Sequence, residues 1–304
     1  MAMNRADFRK QLQEGLNTVF GMEYARYPEE WKYLFAIERS VKAFEEDVLL
    51  AGFDAAPVKP EGEGVAYDEG AESYVARYTH ETIALAFSIT EEAEEDGLYG
   101  SIGSKYARAL ARSLQQTKEV KGADVLNNGF DATFPGGDGV PLFSAAHPQF
   151  GGGVQANTLA VAADLSEASL EQSAIDISEF DDDRGIPIAC QITKMAVPTQ
   201  LQFVATRILQ SPYRTGTGDN DINAINTLGT VADGFCVNHR FTDPDAWFLL
   251  TDCPDGLKHF VRKNVQRGIE GDFETGNLRY KARERYSYGF SDWRGAYGSP
   301  GGGT

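Results

Sequence analysis

The chain has 304 residues, with 28 Lys or Arg against 45 Asp or Glu, so its formal charge is −17. That balance argues against a surface that grips phosphate backbones, which calls for clustered Lys and Arg. No apolar run approaches the roughly 18 residues of a membrane span, and the opening Met-Ala-Met-Asn-Arg-Ala-Asp-Phe has no apolar core of a secretion signal.

Length suggests two domains, or one with large excursions. In the N-terminal stretch, Phe8, Leu12, Leu16, Val19 and Phe20 recur at helical spacing. Tyr24, Tyr27, Trp31, Tyr33, Leu34 and Phe35 follow, and an aromatic stretch of this kind packs either on its own domain or on a neighbouring subunit. Residues 43–90 read as two extended stretches, Val48 to Phe53 and Ser73 to Ile89, around a polar tip. The tip, Pro57 to Gly70, carries Pro60, Gly62 and Gly64 among the acids Glu61, Glu63, Asp68 and Glu69. A long hairpin with no core of its own is marginal in water and needs something to lie on.

Ser101 to Asn128 is the strongest helical signal. Ile102, Tyr106, Ala109, Leu110, Ser113, Leu114, Thr117 and Val120 fall on one face, with Arg108, Arg112, Gln115, Lys118 and Glu119 opposite. A helix of this length runs roughly 42 Å, and Gly129 suits the left-handed position that ends it. A short acidic helix, Glu91 to Asp96, precedes it and a Gly-Asp-Gly loop, Gly137 to Gly139, follows. Residues 158–265 read as a separate α/β unit. It opens on a capping box at Asp164-Leu165-Ser166-Glu167. Ile192 to Val197 is a strand, Leu201 to Leu209 a short helix and Ser211 to Asn220 a polar loop. Phe235 to Val237, Ala246 to Leu250 and Leu257 to Val261 are further strands. Asn277 to Phe290 is an extended, charged and aromatic stretch, and the closing Gly301 to Thr304 is expected to be disordered.

The chemistry-bearing residues assemble into no recognised site. Cys190, Cys236 and Cys253, odd in number and irregular in spacing, read as buried reduced thiols. Cys236, His239, Cys253 and His259 are four zinc-type ligands, but Cys236 and His239 point to opposite faces of a strand-like run. Asp219, Asp221 and Asn223 open like a calcium loop, yet Ala224 replaces the required Gly and Thr230 the bidentate Glu. Ser144 and His147 lie in a turn, and no nucleophile elbow or phosphate-cradling loop occurs. The run Asp181 to Asp183 reads as a solvated helix end. Arg108 and Arg112 read as partners for Glu91, Glu92, Glu94 and Glu95 rather than for nucleic acid. No catalytic, cofactor-binding or metal-binding residue is therefore assigned, and no enzymatic activity is expected.

The order of elements resembles the major capsid protein of tailed bacteriophages with the Hong Kong 97 (HK-97) fold. Phe44 to Val48, Tyr74 to Tyr78, Arg207 to Ser211, Asp219 to Ala224, Thr251 to Phe260, Glu284 to Ser287 and Asp292 to Gly295 are similar to the Mu-like major head subunit group. The resemblance implies an α+β chain with an N-terminal arm (1–42), an extended loop (43–80) and a peripheral domain with a spine helix (81–157, helix 101–128). An axial domain (158–265) and a return strand to the peripheral domain with a flexible tail (266–304) complete it. It also implies a homo-oligomer of hexamers and pentamers in an icosahedral shell. The shell would enclose double-stranded DNA without sequence-specific binding, be assembled in the host cytoplasm and use separate scaffolding, portal and decoration proteins. A nanocompartment shell of the same fold and a cytoplasmic zinc-binding α/β protein are the alternatives. The family's Lys–Asn crosslink finds only Lys59, near the hairpin tip, with no Asn and Glu to match it.

Overall fold

The computed structural model describes residues 5–90, 92, 99–214, 221–272 and 276–302. The expected helix from Glu91 to Asp96, most of the 211–220 loop tip and the last two residues lie outside the described residues, Glu92 excepted. Two four-stranded sheets, a long hairpin and a long helix make up the molecule.

The first sheet has the order β1 (Ala36–Arg39), β10 (Leu257–Gly271), β11 (Leu278–Phe290), β4 (Glu81–Ile89). β10 and β11 pair antiparallel from Leu257↔Phe290 to Gly271↔Leu278. β11 also pairs antiparallel with β4, and β1 joins β10 in parallel. Along β11 the side chains alternate: Leu278, Tyr280, Ala282, Glu284 and Tyr286 are buried, and Arg279, Lys281 and Arg283 are exposed. The buried row faces α1 (Arg5–Tyr24) and α3 (Tyr99–Asn127), with Leu16, Phe20, Ala107, Leu110, Ala111 and Leu114 in one cluster with Tyr280 and Ala282. The strand expected at Leu257 to Val261 therefore runs ten residues further, to Gly271. Residue 265, the expected end of the axial domain, lies within β10 at the register shift between Lys263 and Gln266 in its pairing with β11.

α3 is the expected long helix, but its buried stripe is rotated. Ala107, Leu110, Ala111, Leu114, Ala123 and Leu126 face inward, whereas Tyr106 is exposed and Ile102 and Val120 are at the margin. Gln115 and Glu119, expected in solvent, are buried because they hold the N-terminal segment. Gln115 donates to the Tyr27 carbonyl, and the Glu119 carboxylate accepts the N–H groups of Glu30 and Trp31, each at 3.1 Å. Trp31 and Leu34 of the one-turn helix α2 (Trp31–Leu34), with Phe35 after it, are buried in the chain's own core. From Leu16 to Phe35 the aromatic stretch thus packs on its own subunit. Gly129 does end the helix region, but without a left-handed backbone. A Cβ there would lie 2.6 Å from the Phe143 ring, so closeness to Phe143 is what requires glycine.

The second sheet has the order β12 (Ala296–Ser299), β9 (Trp247–Thr251), β7 (Ile192–Val197), β8 (Phe235–Val237). β7 and β9 bury most of their side chains, with Thr193, Lys194 and Thr251 partly buried. Two helices precede and follow β7: α4 (Glu167–Ser178), capped by a Ser166–Ser169 capping box, and α5 (Gln202–Gln210). The cap is thus Ser166, two residues later than the spacing predicted, and the Asp164 carboxylate instead accepts the N–H of Gly302. Gly301 is buried, so the expected disorder of the tail does not extend to Gly301 and Gly302. The C-terminal segment returns to this second sheet through β12, not only to the first. α6 (Ala224–Leu228) is capped by Asn223. Two-residue strands β5 (His147–Pro148) and β6 (Val154–Gln155) form a small ladder beside it all.

Candidate assembly surfaces

β2 (Phe44–Ala51) and β3 (Ala71–Thr79) pair antiparallel and form a two-stranded sheet of their own. The extended stretch expected from Ser73 to Ile89 is broken at His80, where the chain leaves this hairpin and enters β4 of the first sheet. His80 is buried there between the Ser40 and Ser287 hydroxyls, at 2.8 and 2.9 Å, and burial lowers its basicity. The hairpin tip from 52 to 70 has no regular strand, and it leaves large apolar side chains in solvent. Val58 is 93% and Tyr67 98% exposed, with Leu50, Phe53 and Val65 exposed beside them. Apolar groups so placed on a two-stranded ribbon bury little within the subunit.

The root of the hairpin is held by buried charge. The Lys258 ammonium meets Asp47 of β2 and Asp255, both at 2.7 Å. Burial alone would lower its pKa; hydrogen bonds to Asp255 and Asp47 outweigh burial and raise it. The Asp47 carboxylate also accepts the Ser291 hydroxyl, whose oxygen meets the Tyr78 hydroxyl. On the other side, Arg184 donates to the Glu69 carbonyl at 2.9 Å, pairs with Asp54 and lies over the Phe150 ring. Asp183, expected at a solvated helix end, is buried and pairs with Arg294 at 2.8 Å. Arg294 also donates to the Asp181 carbonyl and to Asp292, so one guanidinium ties the 181–183 loop to the 292–294 segment more than a hundred residues away. These contacts fix the angle at which the ribbon leaves the body.

Two further faces are open. On the first sheet, the face away from α1 and α3 presents Arg279, Lys281 and Arg283 at alternate positions of β11, with Gln266 and Gly268 of β10 and Ala84 of β4 between them. On the second unit, Phe203 of α5, Leu228 of α6 and Ile222 are exposed at 70, 80 and 69%.

Residues 73–299 match the sequence family described as phage capsid protein. The chain belongs to that family. No curated protein sequence matches it. Among solved structures, this capsid protein is similar to the procapsid of bacteriophage JBD30 (16% identity, 98% of this chain and 76% of that one, TM-score 0.52). It is similar as well to a virus-like particle from Pyrococcus furiosus (12% identity, 94% and 98%, TM-score 0.51). Mycobacterium phage Che8 provides a third likeness (13% identity, 89% and 90%, TM-score 0.51). The fold is thus the Hong Kong 97 type that the order of elements resembles.

The residues weighed for other chemistry in this capsid protein are occupied structurally. Cys190 and Cys253 form a disulfide, contrary to the expectation of reduced thiols; the loop before β7 brings them together across 63 residues. With Asp252 they are the one group of metal-ligand types that converges among the described residues, and both sulfurs are committed to the bridge. Cys236 stands apart, and burial pushes its thiol up to about 12. His239 Nδ1 meets Glu30 at 2.7 Å, while His259 is stacked on Tyr288 with ring centroids 4.2 Å apart. Asn223 of the calcium-like stretch turns its amide inward to the Ile208 and Ser211 carbonyls. Arg112 pairs with Glu23 of α1, while Glu91, Glu94 and Glu95, expected as partners of the Arg108 and Arg112 face, lie outside the described residues. His147, buried, has Nδ1 2.6 Å from the Asp138 carboxylate and Nε2 3.1 Å from the Asn157 side-chain oxygen, and stacks on Trp293. The Asn157 amide in turn donates to the Leu142, Trp293 and Ala296 carbonyls. The Ser144 N–H donates to the Asn157 side-chain oxygen, so this is a pinning cluster with no hydroxyl presented to His147.

Proposed function

We propose that the chain is the repeating subunit of an icosahedral shell built of hexamers and pentamers and enclosing double-stranded DNA. The shell would assemble in the host cytoplasm with separate scaffolding, portal and decoration proteins. On this reading β2, β3 and the tip are the extended loop, α3 is the spine helix of the peripheral domain, and the second sheet belongs to the axial domain. The observation that carries it is the hairpin: within a chain matched to phage capsid proteins from 73 to 299, it exposes Val58 and Tyr67 almost fully on a ribbon with no core. Many weak copies of such a contact around a closed shell sum to a stable particle. The charge of −17 suits a container whose contents must not adhere.

Electron microscopy of the purified chain, with light scattering on the same sample, tests this. Shells, tubes or hexagonal sheets are expected, with nucleic acid inside the shells formed during infection. The Pyrococcus furiosus virus-like particle shares the fold, and shells that hold protein cargo and no nucleic acid would favour a nanocompartment. Deleting residues 58–70 is expected to leave a folded subunit, with a cooperative thermal transition, and to abolish particles. Particles in normal yield from that deletion would remove the hairpin from the interface.

A further inference from the structure

The Cys190–Cys253 bridge joins the loop from Phe180 to Gln191 to the turn between β9 and β10. Backbone contacts already hold these segments side by side. The Gln191 N–H donates to the Asp252 carboxylate at 2.7 Å, and the Asp252 N–H donates to the Gln191 carbonyl at 3.0 Å. The two Cα atoms lie 6.0 Å apart, within the span of a disulfide. Beside the cysteines, Ala189 and Asp255 have left-handed backbones, at φ 50° and 60°. Non-glycine residues keep that conformation only where their surroundings over-determine it.

The bridge is also mechanically placed. It lines a cleft of about 250 Å³ whose other wall includes Leu49, Leu50 and Gly52 at the hairpin root. The loop it fixes carries Asp183, which binds Arg294, and Arg184, which binds Asp54 and the Glu69 carbonyl. A bond that immobilises this loop immobilises the ribbon's attachment. Disulfides do not persist in a reducing cytoplasm but do outside the cell. If the subunit assembles where the proposed function places it, the two sulfurs meet both environments in turn.

We infer that Cys190 and Cys253 form an oxidative latch, open as two thiols while the shell is built and closed as a disulfide after release, when it locks the hairpin root to the second sheet. This rests on the capsid reading above. Closure uses a small-molecule disulfide as oxidant. One cysteine thiolate attacks it, forming a mixed disulfide and releasing one small thiol. The second thiolate displaces the other, so two S–H bonds of the protein become one S–S bond and the oxidant is reduced to two thiols. Cys236, half-buried with its thiol held protonated, does not compete.

The experiment uses the intact chain in particles. Infected or expressing cells are quenched with an alkylating agent before lysis, and released particles are alkylated in the same way after exposure to air and oxidised glutathione. Mass spectrometry is expected to find Cys190 and Cys253 alkylated in assembled particles inside cells, and bridged in released ones. Released particles are expected to dissociate at a temperature several degrees lower after treatment with dithiothreitol, a shift absent in the Cys253→Ser variant. A bridge already complete inside cells, no bridge in released particles, or a bridge whose reduction leaves dissociation unchanged would each overturn the latch. Reduction of the unmodified particle needs no variant to fold. Failure of the chain to form particles at all would instead overturn the capsid reading.

Discussion

Around Trp31 two buried titratable side chains respond to pH in opposite directions. Burial raises the Glu119 carboxyl to about 7, despite the two backbone N–H groups it accepts. The folded state then binds a proton more readily than the unfolded chain, so the favourable contribution is complete below the ordinary carboxylate pKa and is lost as pH rises through about 7. Across that window the cost is on the order of 3 kcal/mol, at about 1.4 kcal/mol per unit. Burial lowers His259 to about 3, with Lys118 adding repulsion. Here stability is present above the ordinary histidine value and is lost as pH falls towards about 3. Glu119→Gln is therefore expected to remove the decline in subunit Tm between pH 5.5 and 8, and His259→Phe to blunt the fall below pH 6, both read by calorimetry. Parent-like pH profiles in both variants would contradict these environments. Arg294 makes the larger prediction. Arg294→Met leaves Asp183 and Asp292 buried without their cation, at a cost of about 3–5 kcal/mol, measured as a lowered denaturant midpoint. Nothing in the sequence around Asp183 announces its partner 111 residues away, so a run of three acids reads as solvent-facing until the fold closes. The same holds for Cys190 and Cys253, which the Gln191–Asp252 contacts hold side by side across 63 residues.

Elements were more legible than their faces. α3, β7, β8 and α5 lie where periodicity and breakers place them, because local propensity and packing agree there. The buried stripe of α3 could not be read in the same way. The helix is covered by α1, by the first sheet and by the 27–31 segment, so small residues such as Ala107 and Ala111 face inward while Tyr106 stays outside. Hydrophobicity alone ranks Tyr106 above alanine and so rotates the helix. His80 was hidden for a related reason: the alternation continues through Ser73 to Ile89 while the chain changes sheets. Close backbone approach is a third feature with no apolar signature. Gly295, in the turn before β12, lies against the backbone of Gly256, and a Cβ added to either glycine would collide with the other's Cα. Backbone cannot step aside as a flexible side chain does, so Gly295→Ala is expected to cost about 1–3 kcal/mol by overpacking. The test is the thermal transition of the variant subunit, and an unchanged Tm would mean that the β9–β12 corner can open without loss.

At the scale of the whole molecule, charge opposes the assembly that the exposed apolar groups favour. Every copy brings −17, and copies packed into one shell stand within a few Debye lengths of each other at low ionic strength, where that length is about 30 Å at 0.01 M. On the proposed hairpin contact, Leu50, Phe53, Val58 and Tyr67 would meet a neighbour through apolar groups, whose attraction depends weakly on salt at these concentrations. The cations on the open face of β11 work the other way. Arg279 is already paired with Asp272 and Lys281 with Glu270, whereas Arg283 is hydrogen-bonded to the neutral Gln266 and keeps its charge, so only part of that positive charge is left to attract an acidic neighbour. Repulsion of the net charge therefore outweighs local attraction. Assembly is expected to strengthen as salt rises from about 0.01 to 0.15 M, as the Debye length shortens to about 8 Å. Light scattering of subunits brought to each ionic strength, at fixed pH and concentration, measures this as a falling threshold concentration for particles. A threshold that instead rises with salt would show that ion pairs between subunits, rather than the apolar hairpin, dominate the contact, and Lys281 and Arg283 would then be the first side chains to replace.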